Sequence, residues 1–474
     1  MRTQCNKDSF LFPELNSREV VARFDGGTLT SDAGGLLLRQ VEQATGMLAQ
    51  FAGCFIDHRN PDRIEHTVYD LVAQRTYGLA LGYEDLNDHD DLRHDPLNAV
   101  LVGKAEPTGS DRRRDRDRGK ALAGKSTLNR LELTPVGADA DSRYKKVVLD
   151  TRRAEMIFTD LFLQAHPVPP KTLILDLDAT DDPIHGDQLG RFFHGYYQNY
   201  CYLPLYICCG EHLLWSQLRP SDIDGSAGSV KALAKIIDRI RQTWPEVAIL
   251  IRGDSGFCRE HLMAWCEGHG VDYVLGLAKN DRLIPNLAHE MAQAQALYQQ
   301  TGQAARVFGD FDYQTQTSWS RSRRVVGKAE YLNKGENPRF VVTSLAREHY
   351  DARTLYEDTY CARGEMENRI KEQQLYLFAD RTSAATLRAN QIRLWFSSLA
   401  YTLMAALRRL GLQGTELAGA QCSTIRLKLL KIGAAIQVTV RKVWVSLAES
   451  YPYQRLFRQV YEHLRRWCTT PQRC

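Results

Sequence analysis

Two stretches, "KTLILDLDAT" at 171–180 and "VAILIRGDSGF" at 247–257, are nearly continuous in Leu, Ile and Val, and each runs into an aspartate. Strands this apolar are buried on both faces, which places them inside a sheet covered by helices. Between them lie two more strand-like runs, "YYQNYCYLPLYICC" and "HLLWSQLRPS", and then the amphipathic helix "GSVKALAKIIDRIRQTWP". After them come a helix, "REHLMAWCEGHG", and a fifth strand, "VDYVLGLA". Three strands, a helix, a strand, a helix and a strand predict a mixed α/β sheet.

The flanking segments read differently. Residues 1–110 carry helical spacing and caps, as in "TSDAGGLLLRQVEQA" and "PDRIEHTVYDLVAQRTYGLALG", and predict a mainly helical N-terminal domain. Residues 111–165 are read as a linker and connecting segment, and 166–410 as the sheet-bearing domain. Within the latter, 281–345 is rich in strand-like runs and predicts an all-β insertion, followed by a helical block from 353. Residues 411–474 read as a hairpin and a basic helix. From Tyr401 to Cys474 there are twelve Lys or Arg and three Asp or Glu, although the whole chain carries only +4. That local excess suits contact with a polyanion or a dimer partner.

Several classes are excluded. The eleven cysteines contain no C-x-x-C pair, which argues against a zinc knuckle and a disulfide framework and for a reducing, cytoplasmic setting. The longest greasy run, 394–407, is too short to span a bilayer, so no membrane partner is expected. "GKALAGKS" at 119–126 fits the phosphate-loop pattern at every fixed position. The mechanism behind that pattern needs a buried strand entering the loop, and here "GSDRRRDRDR" precedes it. No ATP dependence is expected.

The chemistry is sought at the strand ends. Asp176 and Asp178 share one face of their strand because side chains alternate, and an ionised Asp in such a setting is costly unless paired or bound to a metal. Asp254 ends the second strand, so two buried strands each carry a carboxylate at the C-terminal end, a better metal-site candidate than one alone. A late helix, "YCARGEMENRIKEQ", places Tyr360, Arg363, Glu367 and Lys371 on one stripe at about 100° per residue, with Glu365 and Glu372 on the other side. That mixture suits a metal beside a phosphate backbone, or else an exposed face with ion pairs such as Glu367 to Lys371.

These motifs together resemble the DDE transposases of bacterial insertion sequences: "DAT" at the first strand end, "GDSGF" at the second, and Y-x2-R-x3-E on the late helix. "FDGGTLTSDAGGLLL" and "LAGKSTLNRLE" also look like family features, the latter accounting for the phosphate-loop match. The resemblance implies a ribonuclease-H-like core in which Asp178, Asp254 and Glu367 bind two Mg²⁺ ions, with Mn²⁺ as a substitute. Asp178 is preferred to Asp176 because it precedes Ala179-Thr180. The resemblance further implies cut-and-paste transposition of double-stranded DNA, with terminal inverted repeats bound by the N-terminal domain and a homodimer in the synaptic complex. Tyr360, Arg363 and Lys371 would contact DNA, as would Arg323, Arg324 and Trp319 in the insertion, Trp319 either stacking on a base or lying in the core of the insertion. One position departs from the pattern: the family's Lys seven residues after the Glu is Gln374 here, with Lys371 one turn earlier. Alternative readings are a nuclease of the same fold without strand transfer, and an inactive DNA-binding derivative.

Overall fold

The computed structural model describes residues Ser9–Thr469. The chain folds into two compact units, one formed by Leu149–Ala405 and the other by Met1–Val148 together with Ala406–Cys474. Among the described residues no helix is long and apolar enough to cross a membrane.

The Leu149–Ala405 unit is built on one nine-stranded sheet. Its strands are β1 (Thr172–Ala179), β2 (Leu205–Cys209), β3 (His212–Gln217), β4 (Ala248–Gly253), β5 (Asp272–Leu277), β6 (Ala305–Tyr313), β7 (Arg323–Leu332), β8 (Gly335–Glu336) and β9 (Arg339–Thr343). The order is β3-β2-β1-β4-β5-β9-β7-β6, with β8 paired to β7 alone. β1, β4 and β5 are mutually parallel, and β2 and β3 run antiparallel to their neighbours. Alternation sorts the side chains: Leu173, Leu175 and Leu177 of β1 and Ile249 and Ile251 of β4 enter one core with the helices Thr151–Ala165 and Ser229–Thr243. The opposite face carries Leu250 and Val274, which pack with Leu355 and Tyr356 of the late helix. Asp176 and Asp178 lie out of phase with the three leucines, on that second face.

Two expectations change. Residues 281–345 are not all-β, because Ala288–Thr301 forms a helix closed by Gly302 in the left-handed conformation (φ 67°). "AHEMAQAQALYQQT" is dominated by Ala, Gln, Leu and Met, all strong helix formers, and the strands around it drew the reading toward β. Nor do the insertion's strands form a separate body, since β9 pairs with β5 and continues the central sheet. The run 196–209 is also divided, into the hairpin strand Asn199–Tyr202 and β2, because Pro204 cannot donate to a ladder.

The other unit joins both ends of the chain. Gly35–Thr45, Val68–Leu81 and Pro96–Val102 are helices, the second opened by a capping box between Thr67 and Asp70. The C-terminal helix Gln454–Thr469 packs on Gly35–Thr45 through the face bearing the buried Leu456, Val460 and Leu464, leaving Arg455, Arg458 and Arg465 exposed. Leu29–Thr30 pairs with Ala434–Val438. Gly34 lies so close to this returning segment that a Cβ would stand 2.0 Å from the carbonyl oxygen of Leu429.

Candidate active site

Register separates the two aspartates of β1. In the parallel pairing with β4, Arg252 stands opposite Asp176. Its guanidinium grips that carboxylate twice, Nε to Oδ1 at 2.6 Å and Nη2 to Oδ2 at 2.7 Å, while Nη1 donates to the carbonyl of Thr359 at 2.7 Å. Asp176 is buried and fully engaged as half of an ion pair. Asp178 lies at the open end of the strand, its Oδ1 accepting from the N–H of Ala179 at 2.9 Å. The register ends with Gly253 opposite Leu177, so Asp254 follows at the level of Asp178. A turn holds it there, with the N–H of Gly256 donating to Oδ1 at 2.9 Å.

The late helix supplies the rest. Its α-helical middle, Gly364–Lys371, is flanked by wide π turns at Leu355–Tyr360 and Glu372–Tyr376. Met366 and Ile370 are buried, and Arg363, Glu367, Ile370 and Lys371 of this segment face a cleft of about 490 Å³. Asp178, Asp254, Arg363, Glu367, Lys371 and Gln374 all line that cleft, and Glu365 does not. Arg363 bridges two of the carboxylates, Nη1 at 3.4 Å from Asp178 Oδ2 and Nη2 at 3.5 Å from Glu367 Oε1.

The cleft is electrostatically strained toward holding a cation. Burial raises the Asp178 carboxyl most; Arg363 pulls it down, Asp254 and Glu367 push it up again, and it rests at about 6. Burial alone would lower the Arg363 guanidinium, but Asp178 foremost, with Tyr360, Asp254 and Glu367, holds it above its ordinary value. Three carboxylate side chains are the hard oxygen donors that Mg²⁺ and Mn²⁺ take, so the donor set fits a divalent ion. As they stand, among the described residues no three such side chains converge on one point, and the Arg363 guanidinium spans Asp178 and Glu367. An ion entering there has to displace it.

Tyr360 sits against the Asp254 turn rather than on the open cleft. A Cβ built on Gly276 of β5 would lie 2.6 Å from the Tyr360 hydroxyl, 2.9 Å from the Ser255 nitrogen and 3.1 Å from the Asp254 carbonyl carbon. Gly276→Ala must therefore push the Asp254 turn outward. We expect a loss of about 1–3 kcal/mol in thermal unfolding together with a fall in cleavage larger than that destabilisation accounts for; unchanged cleavage would show that the turn tolerates displacement.

The β-rich side of the sheet does not offer the DNA contacts expected of it. Trp319 is 7% exposed, edge-on to Tyr313 at 5.7 Å and under the Arg323 guanidinium at 5.5 Å. Arg323 is bound by Glu260 and Glu267, each at 2.6 Å, and Arg324 by Asp310 at 2.7 Å and the carbonyls of Leu345 and Tyr350. Neighbours on a strand point to opposite faces, and here each arginine meets an acidic partner on its own face, so both serve the packing of this region. The phosphate-loop segment is likewise occupied: Ala121–Ala123 is buried, the Ala123 N–H donates to Gln74 Oε1 at 3.0 Å, and Lys125 Nζ lies on Asn87 and Asp90.

With the geometry in place, sequence comparison settles the family. The family model for the transposase DDE domain, group 1, matches residues 12–469. The chain is a DDE transposase. No curated protein sequence matches it. Among solved structures it is similar to the cryo-EM structure of a piggyBac transposase synaptic complex with hairpin DNA, at 10% identity over 94% of this chain and 83% of that one, with a TM-score of 0.38.

Gln374, the departure noted in the sequence, donates to the carbonyl of Asp181 at 3.0 Å and to Asp182 Oδ1 at 2.9 Å. Burial raises the Asp182 carboxyl well above its usual range, and Gln374 only partly opposes this. Gln374 thus braces the segment just beyond Asp178, a task for a neutral amide. His194, Tyr196 and Tyr197 also line the cleft, from the hairpin Phe192–His194 and Asn199–Tyr202 and its turn. The aromatic cluster "FFHGYYQNY" was the available signal, absorbed into a strand reading.

Proposed function

We propose that the cleft holding Asp178, Asp254 and Glu367 cuts DNA at the ends of a mobile element and joins the freed ends to target DNA. One observation carries this reading: three carboxylates from three separate elements, Asp178, Asp254 and Glu367, line one cleft, and Arg363 bridges two of them, Asp178 and Glu367. A ribonuclease-H-like core is the matching fold, and the strand order β3-β2-β1-β4-β5 with β2 and β3 antiparallel supports it. Asp178, Asp254 and Glu367 would hold two Mg²⁺ ions, or Mn²⁺, whose chemistry is to polarise the scissile phosphate and make bound water acidic. Arg363, once released from Asp178 and Glu367, is placed to pair with a phosphate oxygen, with Lys371 one helical turn along. Tyr360 steadies the Asp254 turn.

In cleavage, a water oxygen bonds to phosphorus and the 3′ oxygen of the element end leaves. In strand transfer that 3′-OH bonds to a target phosphorus while the target's own 3′ oxygen leaves. One phosphodiester replaces another, so no nucleotide is consumed. Two ends have to be cut and joined, which calls for at least two clefts and hence a homodimer at synapsis, acting on DNA in the cytoplasm.

The test is a purified full-length protein with a labelled element-end duplex and a target plasmid, in Mg²⁺ and without ATP. Cleaved ends and joined products are expected. Cleavage without joining would favour the nuclease reading, and binding without either would favour an inactive derivative. Lys125→Ala is expected to cleave at the wild-type rate in the same ATP-free buffer; an ATP requirement would restore the NTPase reading.

A further inference from the structure

A second cavity, of about 510 Å³, lies wholly within the unit that joins the chain ends. Nine Arg or Lys and three Asp or Glu line it, an excess of six positive charges. Among the described residues Arg63, Arg114 and Arg130 have no carboxylate partner, so their charge is uncompensated. The helix Lys125–Leu133 begins here, and Gly124, Ser126 and Thr127 form part of the wall. Asp90 Oδ1 accepts from its first N–H, that of Lys125, at 3.1 Å, which offsets part of the positive dipole end.

A buried donor points independently to an acidic ligand. His66 is 5% exposed and lines the cavity. Arg112 Nη1 stands 2.6 Å from its Nε2, and an arginine only donates, so Nε2 accepts and the proton of the neutral ring sits on Nδ1. Burial, followed by Lys104, Arg112 and Arg59, pushes the imidazole down to about 3, so the ring is neutral at physiological pH. That Nδ1 is buried without a hydrogen-bond partner, and so is Nε of Arg112. Buried donors are nearly always satisfied, and both of these unsatisfied ones belong to side chains that line the basic cavity.

We propose that this cavity seats consecutive phosphates of a duplex DNA backbone, making it a DNA site separate from the catalytic cleft. The lining disfavours a mononucleotide: it contains no Phe, Tyr or Trp, its one imidazole, His66, is buried, and Leu122 is its single apolar residue, so a base would find little to stack on. It also explains the phosphate-loop resemblance differently. The loop's lysine is tied to Asn87 and Asp90, while the helix it introduces turns its N-terminus to the cavity. The proposal rests on the DNA reading of the catalytic cleft but is tested without catalysis.

The experiment compares the full-length protein with the triple variant Arg63→Gln, Arg114→Gln, Arg130→Gln, and with the same three positions changed to Lys. Affinity for an element-end duplex is measured at several KCl concentrations in EDTA, so that no cleavage occurs. Each lost phosphate contact lowers the slope of log affinity against log salt by about one. The Gln variant should lose between about one and three from that slope, weaken binding alike on unrelated duplexes, and melt at the wild-type temperature. The Lys variant should keep the slope. An unchanged slope in a folded Gln variant overturns the proposal while leaving the catalytic reading intact. ATP or inorganic phosphate that raises the wild-type melting temperature, with the DNA slope unchanged in the variant, overturns it in favour of a small-anion site. A changed slope beside a fully active Glu367→Gln enzyme would remove the catalytic reading and keep the cavity.

Discussion

Glu367→Gln yields a transposase that folds and binds element ends but cuts them on the order of 10³-fold more slowly, the loss expected when several kcal/mol of metal-borne stabilisation disappears. The substitution removes one anion at nearly constant volume, from a side chain half exposed to the cleft, so nothing in the core is disturbed. Glu365→Gln is the control. It sits two residues away, about 160° around the helix, and does not line the cleft. It should cut at close to the wild-type rate, as surface substitutions do. Single-turnover cleavage of a labelled duplex in Mg²⁺ and in Mn²⁺ measures both. A dead Glu365→Gln beside an active Glu367→Gln would mean that the other face of the helix meets the DNA.

The aspartates of β1 should separate in a different way, one losing chemistry and the other losing the fold. Asp176→Asn leaves the Arg252 guanidinium buried with no counter-charge, which costs about 3–5 kcal/mol in comparable pairs. Its melting temperature should fall sharply whether or not a metal is present. Asp178→Asn should abolish cleavage while the metal-free protein gains stability at neutral pH. The sign follows from the carboxyl's value of about 6 in the fold against an ordinary 3.8. The folded state binds that proton more tightly, so wild-type stability is lost as pH rises from about 4 to 6, by up to about 3 kcal/mol. Asn escapes the loss, less what Arg363 forfeits when its partner is neutralised. Melts of both proteins in EDTA at pH 4.5 and pH 7 should show the variant gaining on wild type as pH rises. A variant that falls behind at pH 7 would show that the Arg363 contact outweighs the burial of the charge.

How much of this was readable beforehand depends on whether a residue's role is set locally. The alternation of "LILDLDA" placed Asp176 and Asp178 on one face, and helical spacing put Arg363, Glu367 and Lys371 on one cleft wall even though π turns interrupt the helix on either side. Those turns fall outside the Arg363–Lys371 segment, where only a short 3₁₀ turn at Cys361–Arg363 precedes the α-helix Gly364–Lys371, so helical spacing served there. What Asp176 does was invisible, because it depends on Arg252, 76 residues away, arriving opposite it in register. Trp319, Arg323 and Arg324 look like DNA ligands by residue type alone. A core place for Trp319 was one of the two readings open to it, but the acidic partners of the arginines, Glu260, Glu267 and Asp310, lie elsewhere in the chain, so their pairing could not be foreseen. Gly276 carries no signal at all, since its importance is a distance to a turn on the neighbouring strand.

The unit that joins the two chain ends imposes an order on biosynthesis. Leu29–Thr30 has its partner strand at Ala434–Val438, the face of Gly35–Thr45 is covered by the final helix, and Gly34 is fitted against Leu429 and Leu430. At about 5–20 residues per second, the ribosome spends on the order of 10–50 s on the intervening catalytic unit before those partners emerge. Throughout that interval the catalytic unit can complete itself, while the first unit waits with apolar surface uncovered. A nascent or prematurely terminated chain would therefore hold the Leu149–Ala405 unit with all its own strands beside a unit still lacking its partners.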